Sequence, residues 1–97
     1  MNKKKILIFA DYFLPGFKAG GPIRSIENFI RAFHEELDVY IVTRDRDAGD
    51  STPYPHIPRG EWMQAVWGKV YYVSPVQKNL LTLRHILNSQ EWDVIYF

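Results

Sequence analysis

Glycines cluster immediately before a predicted helix. Residues 16–22 read Gly-Phe-Lys-Ala-Gly-Gly-Pro, and Arg24 follows two positions after the proline. Glycine lets the backbone approach a ligand closely, and a helix start offers free N–H groups and a partial positive charge. Gly20, Gly21 and Arg24 are therefore candidates to bind a phosphate group. The alternatives are a plain turn that needs a positive φ and, for Arg24, a solvated helix face.

Several other kinds of chemistry are excluded by the residue pattern. A P-loop would carry lysine and then Ser or Thr where Pro22 stands, and the dinucleotide fingerprint Gly-x-Gly-x-x-Gly is absent. The histidines are scattered without metal-ligand spacing, and no acid–base pair or Ser-His-Asp set stands out. We therefore expect no metal site and no cofactor, and we assign no catalytic residue.

A second charged group follows the second predicted strand. It reads Arg44-Asp45-Arg46-Asp47 and leaves the same edge of the predicted sheet as the glycine loop. These side chains are suited to bind sugar hydroxyls or acidic groups. They are equally suited to pair with one another at the surface.

The elements that position these residues alternate between strands and helices. Apolar runs predict strands at 5–10, 39–43, 70–73 and 93–97, and helical spacing predicts amphipathic helices over 22–37 and 76–87. Between them, residues 44–69 are charged and then proline-rich, which predicts a long functional or mobile loop with one helical turn at 61–66. Trp62 and Trp67 in this stretch either pack on the domain, line an acceptor site or touch a membrane.

This order predicts an α/β fold. We expect a Rossmann-like open parallel sheet of about four strands in the order 3-2-1-4, with helices on both faces. The winding direction reverses between the first and fourth strands, and ligands of such sheets bind there, outside the carboxyl ends of the strands. The loop at that point runs from Asp11 to Gly21.

Composition sets limits on the class of protein. The chain has 97 residues, 12 Lys+Arg, 11 Asp+Glu, no cysteine and 46% hydrophobic residues. We expect one domain spanning 1–97, and we exclude a disordered chain, a disulfide scaffold and a thiolate zinc site. The net charge of +1 gives no broad attraction for nucleic acid. Because no secretory signal or membrane span is recognisable, the expected location is cytoplasmic.

Several stretches, taken together, resemble the N-terminal part of a family 4 glycosyltransferase, a retaining enzyme of the GT-B fold. Residues 6–25 read Ile-Leu-Ile-Phe-Ala-Asp-Tyr-Phe-Leu-Pro-Gly-Phe-Lys-Ala-Gly-Gly-Pro-Ile-Arg-Ser. Similar stretches follow at 43–50, at Pro53-Tyr54-Pro55 and at 70–75. The resemblance covers essentially the whole chain.

The resemblance implies two Rossmann-like domains with the active site between them. The N-terminal domain binds the acceptor, and its glycine loop approaches the diphosphate of a nucleotide-sugar donor held by the C-terminal domain. This implies donor-phosphate contacts at Gly20, Gly21 and Arg24. Acceptor contacts are expected in the loops after the strands, and we assign them to Tyr12, Arg44 and Asp45.

The resemblance also has consequences for the chain as a whole. It implies cell-surface polysaccharide or glycolipid synthesis, with a carbohydrate or lipid-linked acceptor and peripheral contact with the inner face of the membrane. It implies an incomplete, truncated half-domain that is inactive without its donor-binding domain. From the predicted elements themselves we expect self-association, because two helices leave the faces of a four-stranded sheet incompletely covered and exposed apolar patches favour association. The family's His after the fourth strand is absent, because Tyr96 follows Asp93-Val-Ile.

Two other functions remain open on the residues alone. One is a free-standing flavodoxin-like binding or signalling module. Asp11 fits a response regulator, but Ser74-Pro75 follows the third predicted strand where acidic residues would be needed. The other is an interaction domain without a ligand, because two helices must cover both faces of the sheet.

Overall fold

The computed structural model describes residues 3–66, 68–75 and 79–96. The sheet strands are β1 (Lys4–Phe9), β2 (Leu37–Arg44), β3 (Trp62–Ala65), β4 (Gly68–Val73) and β5 (Val94–Tyr96). The helices are α1 (Gly21–Phe33) and α2 (Leu80–Asn88). The fold is therefore α/β, as the sequence predicts.

The sheet has five strands in the order β3-β4-β2-β1-β5. Its central pairs β4–β2, β2–β1 and β1–β5 are parallel, and β3 pairs antiparallel with β4. The four predicted strands keep their predicted relative positions. The expected count of four and the purely parallel sheet are wrong, because β3 adds an antiparallel edge strand.

The prediction of a helical turn at 61–66 is wrong, because Trp62–Ala65 form the strand β3. Trp62 pairs with Tyr71 and Ala65 with Gly68, so residues 62–65 form a hairpin with β4. Aromatic packing stabilises the pairing of β3 with β4. The ring of Trp62 packs edge-on against Tyr71 and Tyr40, at centroid distances of 5.3 and 5.1 Å. Packing is thus the role of Trp62, while Trp67 lies outside the described residues.

Element boundaries also shift from those predicted. The α1 helix ends at Phe33, and Leu37, which fits the helical spacing, begins β2 instead. Asn79 caps α2 by accepting a hydrogen bond from the Thr82 amide at 2.9 Å. Of the expected strand and helix ends, Val76 and Phe97 lie outside the described residues.

The two faces of the sheet form separate apolar cores. Alternate residues of the central strands pack against α1 on one face, together with the fully buried Phe13 and Tyr72. The intervening residues pack against Ile86 of α2 on the other face. The helices thus lie on both faces. The two long loops that follow β1 and β2 begin at the carboxyl ends of these strands. Within the described ranges, neither helix is long and apolar enough to cross a bilayer.

Gly68→Ala should lower the free energy of unfolding more than Gly49→Ala. Both glycines have a left-handed φ, +121° and +80°. Both variants therefore carry backbone strain of about 1–3 kcal/mol. A Cβ at position 68 would lie 2.4 Å from the Val39 carbonyl oxygen, whereas a Cβ at 49 meets nothing within 4 Å. Urea unfolding compares the variants, and equal losses would contradict this account of the β4 turn.

Candidate functional site at the carboxyl edge of the sheet

A cavity of about 410 Å³ lies where three parallel strands end and α2 begins. Its floor is apolar, because it is formed by strand and helix residues on the α2 face of the sheet. These residues are Phe9, Val42, Val73, Leu83 and Ile86. Its polar lining residues are Asp11, Thr43, Arg44, Asn79 and Thr82. An apolar floor with a few polar groups is the usual form of a small-molecule site.

Arg44 is the central charged group of this site. Its guanidinium carbon lies 5.3 Å from the centroid of the Tyr12 ring, and its Nη2 lies 3.8 Å from Oδ1 of Asp11. Its Nε is buried and has no hydrogen-bond partner among the described residues, and the same holds for Oγ1 of Thr43. Polar atoms buried without a partner are uncommon in folded proteins and call for an explanation.

The structure brings together Tyr12 and Arg44 of the predicted acceptor residues and separates Asp45 from them. Asp45 is 1% exposed and accepts hydrogen bonds from Arg46 Nε at 2.8 Å and from Arg59 Nη1 at 3.5 Å. It is not among the residues that line the cavity. The alternative in which the charged residues pair with one another therefore holds for Asp45 and Arg46. Both carboxylate oxygens of Asp45 accept hydrogen bonds from arginines of this chain.

The predicted donor-phosphate residues lie away from this cavity. Gly20, Gly21 and Arg24 are exposed, and a Cβ at either glycine would meet nothing within 4 Å. Gly20 has φ +69°, as the alternative of a plain turn with a positive φ requires. The Gly20 amide donates to the Phe17 carbonyl, and the amides of Ile23 and Arg24 donate to the Gly20 carbonyl. Pro22 has no N–H, so the turn offers a ligand fewer amides than its length implies, and that of Gly21 is one for which the described residues provide no recorded acceptor.

Asp47 anchors the loop that carries Asp11 and Tyr12. Its carboxylate accepts hydrogen bonds from the backbone amides of Phe17 at 3.0 Å, Lys18 at 3.2 Å and Ala48 at 2.8 Å. Gly16 permits this approach, because a Cβ there would lie 2.7 Å from Oδ1 of Asp47. In the sequence Asp47 is one member of a charged run, and no local signal distinguishes it from Asp45.

Two tyrosine hydroxyls donate hydrogen bonds to the backbone of the same loop. Tyr72 donates its hydroxyl to the Leu14 carbonyl at 2.7 Å, and Tyr54 donates to the Phe13 carbonyl at 3.4 Å. Burial raises the pKa of both hydroxyls to about 12, and the nearby Asp47 carboxylate adds to the effect at Tyr54. Both tyrosines therefore stay protonated and act as hydrogen-bond donors over the physiological range.

Comparison of the chain with protein-family models, with curated proteins and with solved structures finds no match.

The hydrogen bonds that Asp47 accepts from three backbone amides, here called the Asp47 clamp, predict that the free energy of unfolding depends on pH in the acid range. Burial alone would raise the pKa of Asp47, but three backbone N–H groups outweigh it and hold the pKa below its ordinary value. The folded state then binds fewer protons than the unfolded state. The contribution of Asp47 is present above its unfolded pKa of about 3.9 and is lost as pH falls through its lower folded pKa.

Asp47→Asn should therefore destabilise the protein at neutral pH and progressively less below about pH 4. Urea unfolding of wild type and variant between neutral and acid pH measures this convergence. The matched control is Asp38→Asn, because Asp38 is exposed on β2 and takes no part in the clamp. A stability difference at Asp47 that stays constant with pH would contradict the assignment.

Proposed function

We propose that this chain is the acceptor-side, N-terminal domain of a nucleotide-sugar-dependent glycosyltransferase, with the cavity at the carboxyl edge as the acceptor site. The observation that carries the proposal is the form of that cavity. It has an apolar floor, a polar rim built around Arg44 and a position at the ends of β1, β2 and β4. Small ligands of open α/β sheets bind outside these strand ends.

The chemistry of the rim supports a carbohydrate ligand. A sugar ring presents C–H groups on its faces and hydroxyl groups at its edge. The floor, with Phe9, Val42 and Ile86, suits the former, and Arg44, Asn79 and Thr82 offer polar groups for the latter. Tyr12 packs on the Arg44 guanidinium and restricts its motion, which reduces the entropy lost on binding.

The donor role belongs to the exposed turn before α1. Gly21 and Arg24 would approach the diphosphate leaving group from one side of an interdomain cleft, where positive potential assists departure of the phosphate. The turn supplies fewer free amides than the sequence led us to expect, so Arg24 carries most of this role. The sugar and nucleotide would be held by a second domain, and this chain alone transfers no sugar.

Binding by the 97-residue chain tests the acceptor site directly. In NMR titrations with methyl glycosides of common hexoses, backbone signals of residues 9–11, 42–44 and 82–86 should shift together. Thr82→Trp fills the rim and should weaken binding about tenfold or more, equivalent to about 1.4 kcal/mol. Thr52→Trp is the matched control, because Thr52 is exposed and lies outside the cavity.

Three results would contradict the proposal. The first is that no glycoside shifts these signals. The second is that both tryptophan variants bind equally well. The third is tight binding of flavin mononucleotide with a change in its absorbance, which would favour a flavodoxin-like module instead.

We propose in addition that the chain self-associates through β5. Val94, Ile95 and Tyr96 form a sheet edge, and all three side chains are exposed. The edge carries no charged or proline residue, the usual features that prevent pairing with another strand. In antiparallel pairing with a second copy, Val94 would lie opposite Tyr96, a favourable cross-strand pair of a β-branched and an aromatic residue.

Ile95→Lys should reduce the average mass measured by light scattering at high protein concentration. The lysine places a charge at the centre of the proposed contact. Val66→Lys is the control, because Val66 is 92% exposed and lies at the opposite edge of the sheet. A wild-type chain that remains monomeric would contradict the proposal.

A further inference from the structure

We infer that the ligand of this cavity carries an anionic group bound by Arg44, and that Asp11 occupies the place of that group when the cavity is empty. The inference rests on the proposed function in taking the cavity as the acceptor site. It narrows the acceptor to sugars that carry a carboxylate or a phosphate.

The first argument is the state of the Arg44 guanidinium. Its Nε is buried without a hydrogen-bond partner in the described part of the chain, while its side chain remains 38% exposed. The plane of the group is held by Tyr12 at 5.3 Å. Arginine binds a carboxylate or phosphate through its N–H groups, and among the described residues the exposed part of this guanidinium has no ion-pair partner nearer than Asp11 at 3.8 Å.

The second argument is the weakness of the present partner. Asp11 approaches Nη2 of Arg44 only to 3.8 Å, and its side chain is 83% exposed. An ion pair of this kind contributes little to stability, because water screens it and both side chains lose freedom in forming it. An anion that contacts Nη2 from the cavity would therefore displace Asp11 readily.

The third argument is the charge balance of the cavity. Asp11 is the one carboxylate among the described residues that line it. The first turn of α2 carries no acidic residue, and Asn79 and Thr82 place that helix start at the rim. The partial positive charge of the helix start thus adds to that of Arg44 and favours an anion in the same space.

Size is compatible with a charged monosaccharide unit. The cavity volume of about 410 Å³ falls within the roughly 300–1,000 Å³ of small-molecule sites. The apolar floor would contact the ring while Arg44 binds the acidic substituent. A carboxylate at C5 and a phosphate at C6 of a hexose present the same anionic chemistry to the arginine.

The test compares methyl glucuronide, glucose 6-phosphate, methyl glucoside and inorganic phosphate in NMR titrations of the whole chain. At least one acidic sugar should bind about tenfold more tightly than methyl glucoside, because a hydrogen bond to a charged group contributes more than a neutral one. The comparison of the two acidic sugars distinguishes carboxylate from phosphate. Inorganic phosphate should bind more weakly than the acidic sugar, since it makes no contact with the floor.

Variants separate the roles of the charged residues. Arg44→Gln should remove the preference for acidic sugars, whereas Asp11→Asn should tighten their binding several-fold by removing the competing carboxylate. Arg31→Gln is the matched control, because Arg31 is exposed on α1 and does not line the cavity. Asp11→Asn keeps the test valid even where loss of Arg44 disturbs the fold.

The possible failures are distinguishable. Equal binding of acidic and neutral sugars at the cavity would overturn the anion inference and leave the acceptor site standing. Loss of acidic-sugar binding in Arg24→Gln but not in Arg44→Gln would also overturn it, by moving the anion site to the glycine turn. Absence of binding by every sugar would overturn the proposed function itself.

Discussion

The buried carboxylate of Asp47 is the constraint on which the geometry of the site depends. The segment from Asp11 to Gly20 has no regular secondary structure, so its backbone N–H groups need other partners. Asp47 supplies one for Phe17 and Lys18, and the hydroxyl of Tyr72 binds the Leu14 carbonyl. Because the chain is fixed at these points and at the end of β1, the residues between them follow a set course. That course places Tyr12 and Asp11 beside Arg44.

The charged run after β2 divides its work between the fold and the cavity. Val42 packs on the α2 face of the sheet, and alternation along the strand places Arg44 on the same face, where the cavity lies. Asp45 and Asp47 turn into the loops, where arginines and backbone amides bind their oxygens. Four consecutive charges therefore include two carboxylates that stabilise the loops and one arginine that lines the cavity.

The sequence predicts the parts of this structure that depend on local patterns. Continuous apolar runs identify β1, β2 and β4, and helical spacing identifies α1 and α2. It fails where distant contacts decide. Residues 62–65 become β3 because the ring of Trp62 packs on Tyr40 and Tyr71, and the hairpin lacks a typical turn dipeptide. Likewise, Asp47 is buried by amides 29 and 30 residues away, so its role cannot be distinguished from that of Asp45 by spacing alone.

Asp47 and Asp11 show how the same side chain can be part of the scaffold or part of an exchangeable site. Asp47 is buried and accepts N–H groups from the backbone, so removing it leaves donors without partners. Asp11 is exposed and faces one distant cation, so its ion pair contributes little to stability, and in our proposal an external anion takes its place. Arg44 links the two cases. Arg44 lies at the end of β2, and Tyr12, on the loop that Asp47 fixes, packs on its guanidinium, while its Nε is buried without a hydrogen-bond partner among the described residues. A guanidinium ordered in this way would lose less freedom on binding the anion that we propose, because the cost of ordering it is met during folding rather than on binding.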